Sequence, residues 1–148
     1  MQASVRALRG SDIPAARALI ANQFGGTPYE ARILEHLEVA RHGNDAECVG
    51  LVEGDEPRGL VLSGSVAGAH DIVKIHAVVA RDLAVCQILA AAMRDAAPRM
   101  VVYEVPDDAP FLGHAAAMTA LGYREEGRVA DFVRDGVDLI VMVWRRTT

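Results

Sequence analysis

The sequence predicts an α/β (α+β) domain in which a mixed, twisted sheet carries helices on both faces. Short segments rich in Val and Leu, separated by turns that contain Gly, indicate antiparallel strands in the first half of the chain. After residue 80 the pattern changes to helix followed by strand, which is typical of a right-handed crossover to a parallel strand. A chain of 148 residues suits one domain with a sizeable core, so we predict a single domain over residues 1–148.

The N-terminal third is predicted to contain one strand and two helices. The strand covers Ser4–Leu8, and the first helix has either Ser11 or Asp12 as its N-cap. The apolar face of this helix is formed by Ile13, Ala16, Leu19, Ile20 and Phe24. The second helix covers Tyr29–Arg41, and the pattern at Gly43-Asn44 is typical of a helix C-cap.

The rest of the chain is predicted to contain six more strands and two Ala-rich helices, which gives a sheet of about seven strands. The helices cover Asp82–Ala97 and Pro110–Leu121. The strands cover Glu47–Glu53, Arg58–Val66, Asp71–Val79, Met100–Val105, Tyr123–Val133 and Val137–Val143.

Composition and charge exclude several classes of function. The 15 basic and 20 acidic residues give a formal net charge of −5, which disfavours nucleic acid or an anionic membrane as the main partner. No apolar run reaches the roughly 18 residues that a membrane-spanning helix needs. Cys48 and Cys86 lack the spacing of a disulfide framework or a metal site, so no metal is expected. The cytoplasm is the default location.

The last third of the chain carries the motifs of a known family. The strand MVVYEV at Met100–Val105 precedes a helix that ends in Leu121-Gly122-Tyr123, and residues 124–139 read REEGRVADFVRDGVDL. These segments resemble the fifth strand, the LGF/LGY helix end and the GYREE-x-R-x-x-DFY-x-DG-x-D tail found in one bacterial branch of the GNAT superfamily of N-acetyltransferases. The opening Val5–Asp12 and the predicted element order also resemble this superfamily.

The resemblance implies a particular sheet and an acyl-CoA site. The fourth and fifth predicted strands would run parallel and splay apart, leaving a cleft near Val79 and Glu104. The pantetheine arm would pair with the fourth strand, where backbone N–H groups of Ala77, Val78 and Val79 would polarise the thioester carbonyl. The pyrophosphate would rest on the loop after this strand, at a helix N-terminus.

The sequence of this loop departs from the family pattern Q/R-x-x-G-x-G/A. Arg81 matches the first position, but Ala84 and Cys86 replace the glycines, and the β-branched Val85 disfavours the positive φ that glycine allows. Asp82 would place a carboxylate at the helix N-cap, where the pyrophosphate should lie. We therefore expect acetyl-CoA to bind more weakly than micromolar, a limit equivalent to about −8 kcal/mol.

The candidate catalytic residues are His76 and Glu104. His76 could take a proton from an amine substrate, or it could be a partly buried structural histidine. Glu104 could be a base that acts through water, or a carboxylate paired with Arg or Lys at a strand end. Met118 stands where many family members have a general-acid tyrosine, and its thioether cannot donate a proton. His114 is expected on a helix surface.

Two functions from different classes are compatible with these residues. The first is an N-acetyltransferase that moves an acetyl group from acetyl-CoA to a primary amine, on a small molecule or a peptide, by direct attack. The second is an inactive binding or assembly module of the same fold, which the loss of both the glycine loop and the tyrosine favours. A homodimer could form through the final strands or an exposed sheet edge.

Overall fold

The computed structural model describes residues 2–42 and 46–147, and its centre is a seven-stranded sheet. The order of the strands is β1-β2-β3-β4-β5-β7-β6, and only β4 and β5 pair in parallel. The strands are β1 Ala3–Ala7, β2 Ala46–Glu53, β3 Glu56–Val66, β4 Ala69–Val79, β5 Met100–Pro106, β6 Arg124–Arg134 and β7 Val137–Arg145. The predicted fold class, a mixed and mainly antiparallel sheet with flanking helices, is confirmed.

Among the described residues, four α-helices flank this sheet. They are α1 Ile13–Phe24, α2 Glu30–His42, α3 Leu83–Ala96 and α4 His114–Thr119. Helices α1 and α2 contact each other, as do α3 and α4, so the helices form two pairs. The C-cap predicted at Gly43-Asn44 lies outside the described residues.

The helix predicted over Pro110–Leu121 is wrong in its first half. Asp108 accepts a hydrogen bond from the N–H of Ala109 and starts a short 3₁₀ turn, which contains Pro110. Gly113 then takes up a left-handed conformation with φ of 83°, which an α-helix does not allow. Helix α4 therefore begins only at residue 114, and residues 109–113 form a 3₁₀ turn and a loop before it.

Helix α3 packs unusually close to the sheet because Gly59 has no side chain. A Cβ at Gly59 would lie 2.6 Å from Cγ1 of Val85 and 2.9 Å from the carbonyl oxygen of Val79. Leu89, one helical turn after Val85, is fully buried in the same contact. Close packing of this kind stabilises the fold through burial of apolar surface. It also fixes the start of α3 against the end of β4.

The β4–β5 ladder is short, and the two strands separate beyond it. Their parallel pairing runs from Ile72 with Met100 to Ile75 with Tyr103 and then stops. Strand β4 continues beside β3 as far as Val79, while β5 continues beside β7 as far as Pro106. The predicted parallel pair and its splay are therefore present, and we call the gap beyond Ile75 and Tyr103 the splay.

His76 lies at an irregularity in β4, at the start of the splay. Leu62 of β3 pairs with Ala77 and Ser63 pairs with Ile75, so His76 is an extra residue without a partner in β3. In a regular strand His76 would share a face with Lys74 and lie opposite Ile75. The bulge breaks this alternation, and all three residues line one cavity.

Candidate functional site

A cavity of about 450 Å³ lies at the splay, and we call it the splay cavity. Its polar wall combines residues from three elements: Arg32 and His36 of α2, Lys74 and His76 of β4, and Glu104 of β5. Its apolar wall includes Ile33, Phe111, Phe132 and Leu139. The two residues predicted to be catalytic, His76 and Glu104, thus line the same cavity, although their predicted roles remain untested.

The two imidazole rings of the cavity are stacked on each other. The ring centroids of His36 and His76 are 4.2 Å apart, and the planes differ by 4°. Burial, together with the nearby His36, Lys74 and Arg32, lowers the pKa of His76 to about 4. Burial and the charge of Arg32 also lower the pKa of His36. Both rings are therefore neutral at physiological pH and can accept hydrogen bonds.

Glu104 supplies the one carboxylate among the residues known to line the cavity. Its Oε1 lies 3.7 Å from Nζ of Lys74, and both side chains keep about two fifths of their surface exposed, at 43% and 37%. An exposed ion pair of this length contributes little to stability and can exchange its partner for a ligand. Glu104 and Lys74 are therefore available to a bound molecule.

The rim of the cavity is fixed by Asp108, which joins three segments. Its carboxylate accepts hydrogen bonds from the hydroxyl of Tyr29 at 2.7 Å and from the guanidinium of Arg134 at 2.8 Å. It also accepts one from the backbone N–H of Ala109 at 2.9 Å. These contacts lower the pKa of Asp108. Burial, and after it the neighbouring Asp108 carboxylate, raises the pKa of Tyr29 to about 12. Tyr29 is thus held as a protonated structural group.

A second cavity, of about 440 Å³, lies beside the loop that follows β4. It is lined by the predicted loop residues Arg81, Asp82 and Val85, together with Val79. Arg81 donates a hydrogen bond to Oδ1 of Asn22 at 2.7 Å, so its guanidinium is directed towards α1. The predicted cleft near Val79 and Glu104 is therefore divided, because Val79 lines this second cavity and Glu104 lines the splay cavity.

The segment Pro110–His114 lies between the two cavities. Gln23 Nε2 donates a hydrogen bond to the carbonyl of Pro110 at 2.9 Å, and His114 Nε2 lies 3.1 Å from the carbonyl oxygen of Ala80. On the side of the splay cavity, Phe111 packs against Phe24 with ring centroids 5.1 Å apart. The expectation that His114 lies on a helix surface is wrong, because its side chain bridges α4 and the end of β4 with only 1% exposure.

The start of helix α3 also packs against the segment Pro110–His114. Leu83, its first residue, lies so close to Gly113 that a Cβ there would be 2.8 Å from its Cδ1. Asp82 is the N-cap, as predicted, and its Oδ1 accepts a hydrogen bond from the N–H of Ala84 at 2.8 Å. The N-terminus of α3 therefore already holds a carboxylate.

These contacts allow a test of whether acetyl-CoA fits. The pyrophosphate does not fit the loop, because Asp82 occupies the anion position and no residue from Arg81 to Cys86 has the positive φ of a glycine cradle. The passage between the cavities is also crossed by the His114–Ala80 bridge and by Leu83. We therefore derive no catalytic step that acts through the nucleotide part of the molecule.

The buried hydroxyl of Tyr103, beside the splay, has no acceptor for its proton. Tyr103 is fully buried, and its hydroxyl lies towards the Val78 backbone with no acceptor within hydrogen-bond distance among the described residues. Burial is the main cause that raises the pKa of Tyr103, so the hydroxyl keeps its proton. Tyr103 lines neither of the two cavities. Nδ1 of the buried His114 is also without a partner among the described residues.

The other residues predicted for the cofactor occupy buried or packed positions. Ala77, Val78 and Val79 are buried and pair with β3, beyond the last β4–β5 pair. Val85 packs over Gly59, and the N–H of Ala84 is already bonded to Asp82. Met118 is fully buried in the core, and it does not line either cavity. The cofactor roles of all these residues stay predictions.

Sequence reasoning missed one residue that lines the site and one that borders it. Arg32 was hidden because it follows no motif and reaches the cavity only through the packing of α2. The burial of His114 was missed because it depends on how the start of α4 packs against the end of β4. The left-handed Gly113, a glycine inside an apparent helix, was the available signal for the start of α4.

Residues 2–42 and 46–147 contain neither a candidate metal centre nor a candidate membrane-spanning helix. Within these ranges no group of three or more His, Cys, Asp or Glu side chains is arranged to hold a metal ion. No helix in the same part of the chain is long and apolar enough to span a membrane.

The whole chain superimposes on solved N-acetyltransferases. An acetyltransferase of the GNAT family from Bacillus cereus has a TM-score of 0.74 at 13% identity, with all of both chains covered. A ribosomal-protein-alanine N-acetyltransferase from Brucella melitensis has a TM-score of 0.72 at 16% identity, with 97% of this chain and 99% of that chain covered. An aminoglycoside 6'-N-acetyltransferase from Enterococcus faecium has a TM-score of 0.71 at 12% identity, with 98% and 99% covered.

These structures show the fold of the protein. The chain has the fold of the GNAT N-acetyltransferases, as the resemblance of its last third predicted. No protein-family profile matches the sequence. No curated protein matches it with significance.

Proposed function

We propose that the protein transfers an acetyl group from acetyl-CoA to a primary amine bound in the splay cavity. The observation that carries this proposal is that His76 and Glu104 line one cavity where β4 and β5 separate, on the fold of the N-acetyltransferases. Acetyl-CoA would supply an activated thioester whose thiolate is a good leaving group. The weak phosphate site predicts a low affinity for it.

The charges of the cavity suggest how the amine is handled. An ammonium group binds first to the carboxylate of Glu104, in competition with Lys74 at 3.7 Å. After it loses a proton, the neutral amine donates a hydrogen bond to the neutral imidazole of His76 and is held for direct attack.

The low pKa of His76 makes this residue a poor acceptor of the ammonium proton. Transfer from an alkylammonium with a pKa near 10.4 to an imidazole with a pKa of about 4 costs about 9 kcal/mol. Loss of the same proton to water at pH 7 costs about 5 kcal/mol. We therefore propose that the ammonium, held by Glu104, loses its proton to water and that His76 orients the neutral amine.

A second candidate function is a binding module that has lost catalysis. The observations that favour it are the Asp82 carboxylate at the start of α3 and the His114–Ala80 bridge between the two cavities. In this alternative the splay cavity still binds a small molecule, but acetyl-CoA does not enter.

Acetyl-CoA consumption with a panel of primary amines separates the two functions. We expect slow turnover that falls in both Glu104→Gln and His76→Ala, while His70→Ala, in the β3–β4 hairpin, keeps the parent activity. Calorimetry with acetyl-CoA at low salt accompanies the assay. An absence of both turnover and acetyl-CoA binding would leave the binding module as the function.

A further inference from the structure

The splay cavity has an excess of positive charge. Arg32 and Lys74 line it, whereas the lining residues include one carboxylate, that of Glu104. No carboxylate of a described residue lies within 4 Å of the Arg32 guanidinium, so Arg32 is not committed to an ion pair there. The two imidazoles do not add charge, because both are neutral. A purely cationic amine would therefore meet net repulsion.

We infer that the amine acceptor also carries a carboxylate and an apolar side chain, so that a small amino acid is the substrate class. This inference rests on the proposed function, because it describes the acceptor of that reaction. The carboxylate binds Arg32 and Lys74, and the amine binds Glu104 and then His76. A carboxylate–guanidinium pair also has the planar geometry that favours two parallel hydrogen bonds.

The spacing of the charged groups suits a zwitterion. Lys74 Nζ and Glu104 Oε1 lie 3.7 Å apart, so the wall presents opposite charges side by side. The carboxylate of an amino acid can bind Lys74 while its ammonium group binds Glu104. A phosphate dianion is less suited, because Glu104 lies beside Lys74 and repels it.

The apolar wall has room for a hydrocarbon side chain. Phe111 is nearly buried, while Phe132 is 63% exposed and stands at the rim on β6. Ile33 and Leu139 complete this wall. A ligand side chain that covers the exposed ring of Phe132 would remove apolar surface from water and add to the affinity.

Calorimetry with three related ligands tests the inference without acetyl-CoA. The probes are L-leucine, leucinamide, which lacks the carboxylate, and 4-methylpentanoate, which lacks the amine. We expect leucine to bind about tenfold more tightly than leucinamide, with 4-methylpentanoate in between. Equal or tighter binding of leucinamide, or no binding of any probe, would overturn the inference.

Two variants on one helix assign the carboxylate contact. Arg32→Gln should weaken leucine binding about tenfold and leave leucinamide binding unchanged. Arg41→Gln is the matched control, because Arg41 lies on α2 away from the cavity and pairs with Glu38. Equal losses for leucine and leucinamide in Arg32→Gln, or a loss of the same size in Arg41→Gln, would overturn the assignment.

The two proposals can fail separately. Leucine binding without acetyl transfer would overturn the proposed function and support the carboxylate preference. Acetyl transfer to leucinamide in preference to leucine would support the proposed function and overturn the carboxylate preference.

Discussion

The imidazole rings of His36 and His76 lie parallel and 4.2 Å apart, joining α2 to β4 at the wall of the splay cavity. Two charged rings at this distance would repel each other, so the stack needs at least one neutral partner. Burial and the charges of Arg32 and Lys74 lower the pKa of both rings and so favour their neutral forms. Glu35 acts in the opposite direction on His36. The packing of α2 on the sheet is therefore linked to the protonation of His36 and His76.

The stack predicts a loss of stability in acid. The pKa of His76 falls from its ordinary value near 6.5 to about 4 on folding, so the unfolded state binds more protons between these pH values. The free energy of unfolding should then rise as the pH increases through this window and decline as the pH falls through it. Urea denaturation of the parent and of His76→Asn at pH 4.5 and pH 7 measures the effect. The variant should show a weaker pH dependence, and a similar weakening in His70→Asn would contradict the assignment.

The unpartnered hydroxyl of Tyr103 predicts an unusual response to its removal. Tyr103→Phe deletes a buried polar atom without a hydrogen bond, so the variant should be more stable by about 1 kcal/mol. Tyr123→Phe is the matched control, because the hydroxyl of Tyr123 donates to the carbonyl of Ala90 at 2.9 Å and its loss should destabilise by about 1 kcal/mol. Chemical denaturation gives both values.

The carboxylate at the start of α3 predicts that acetyl-CoA affinity can be increased. Asp82→Asn keeps a capping side chain and removes the negative charge, and Leu83→Ala removes the side chain that lies against Gly113. We expect the double variant to bind acetyl-CoA more tightly than the parent in calorimetry. Asp95→Asn, near the other end of α3, should leave the affinity unchanged. A submicromolar affinity in the parent would show that other donors hold the pyrophosphate.

Two adjacent aspartates should differ sharply in their effect on stability. Asp108→Ala removes the acceptor for Tyr29, Arg134 and the N–H of Ala109, and should cost about 2 kcal/mol of unfolding free energy. Asp107→Ala should have little effect, because its carboxylate is 62% exposed and has an ion pair only with Arg128. Urea denaturation of both variants measures the difference. Equal losses would mean that Asp108 does not fix the rim of the splay cavity.

Much of the sheet could be predicted because its signals are local. Runs of apolar residues and turns with Gly placed all seven strands within a few residues of their observed bounds, and the crossover pattern predicted that β4 and β5 are parallel. The bulge at His76 could not be predicted in this way, because it arises from the relative register of two strands. The predicted helix over Pro110–Leu121 was too long because its Ala-rich half concealed the left-handed Gly113.

The candidate site could be predicted only where a motif or a strand end marked it. His76 and Glu104 were found by their positions on the two central strands, and both line the splay cavity. Arg32 required knowledge of where the face of α2 packs, and His114 required the path of the chain from Asp108 to α4. These are contacts between distant segments, which single-residue patterns do not encode.

The short β4–β5 ladder divides the sheet into two antiparallel parts, β1–β4 and β5–β7. Four backbone pairs, from Ile72–Met100 to Ile75–Tyr103, connect them within the sheet, and α3 contacts strands on both sides of the division. Hydrogen-bonded units of this kind often open separately in the native state. The shortest ladder of the sheet therefore ends at the candidate site, and a ligand that contacts both β4 and β5 would slow local opening as well as fill the cavity.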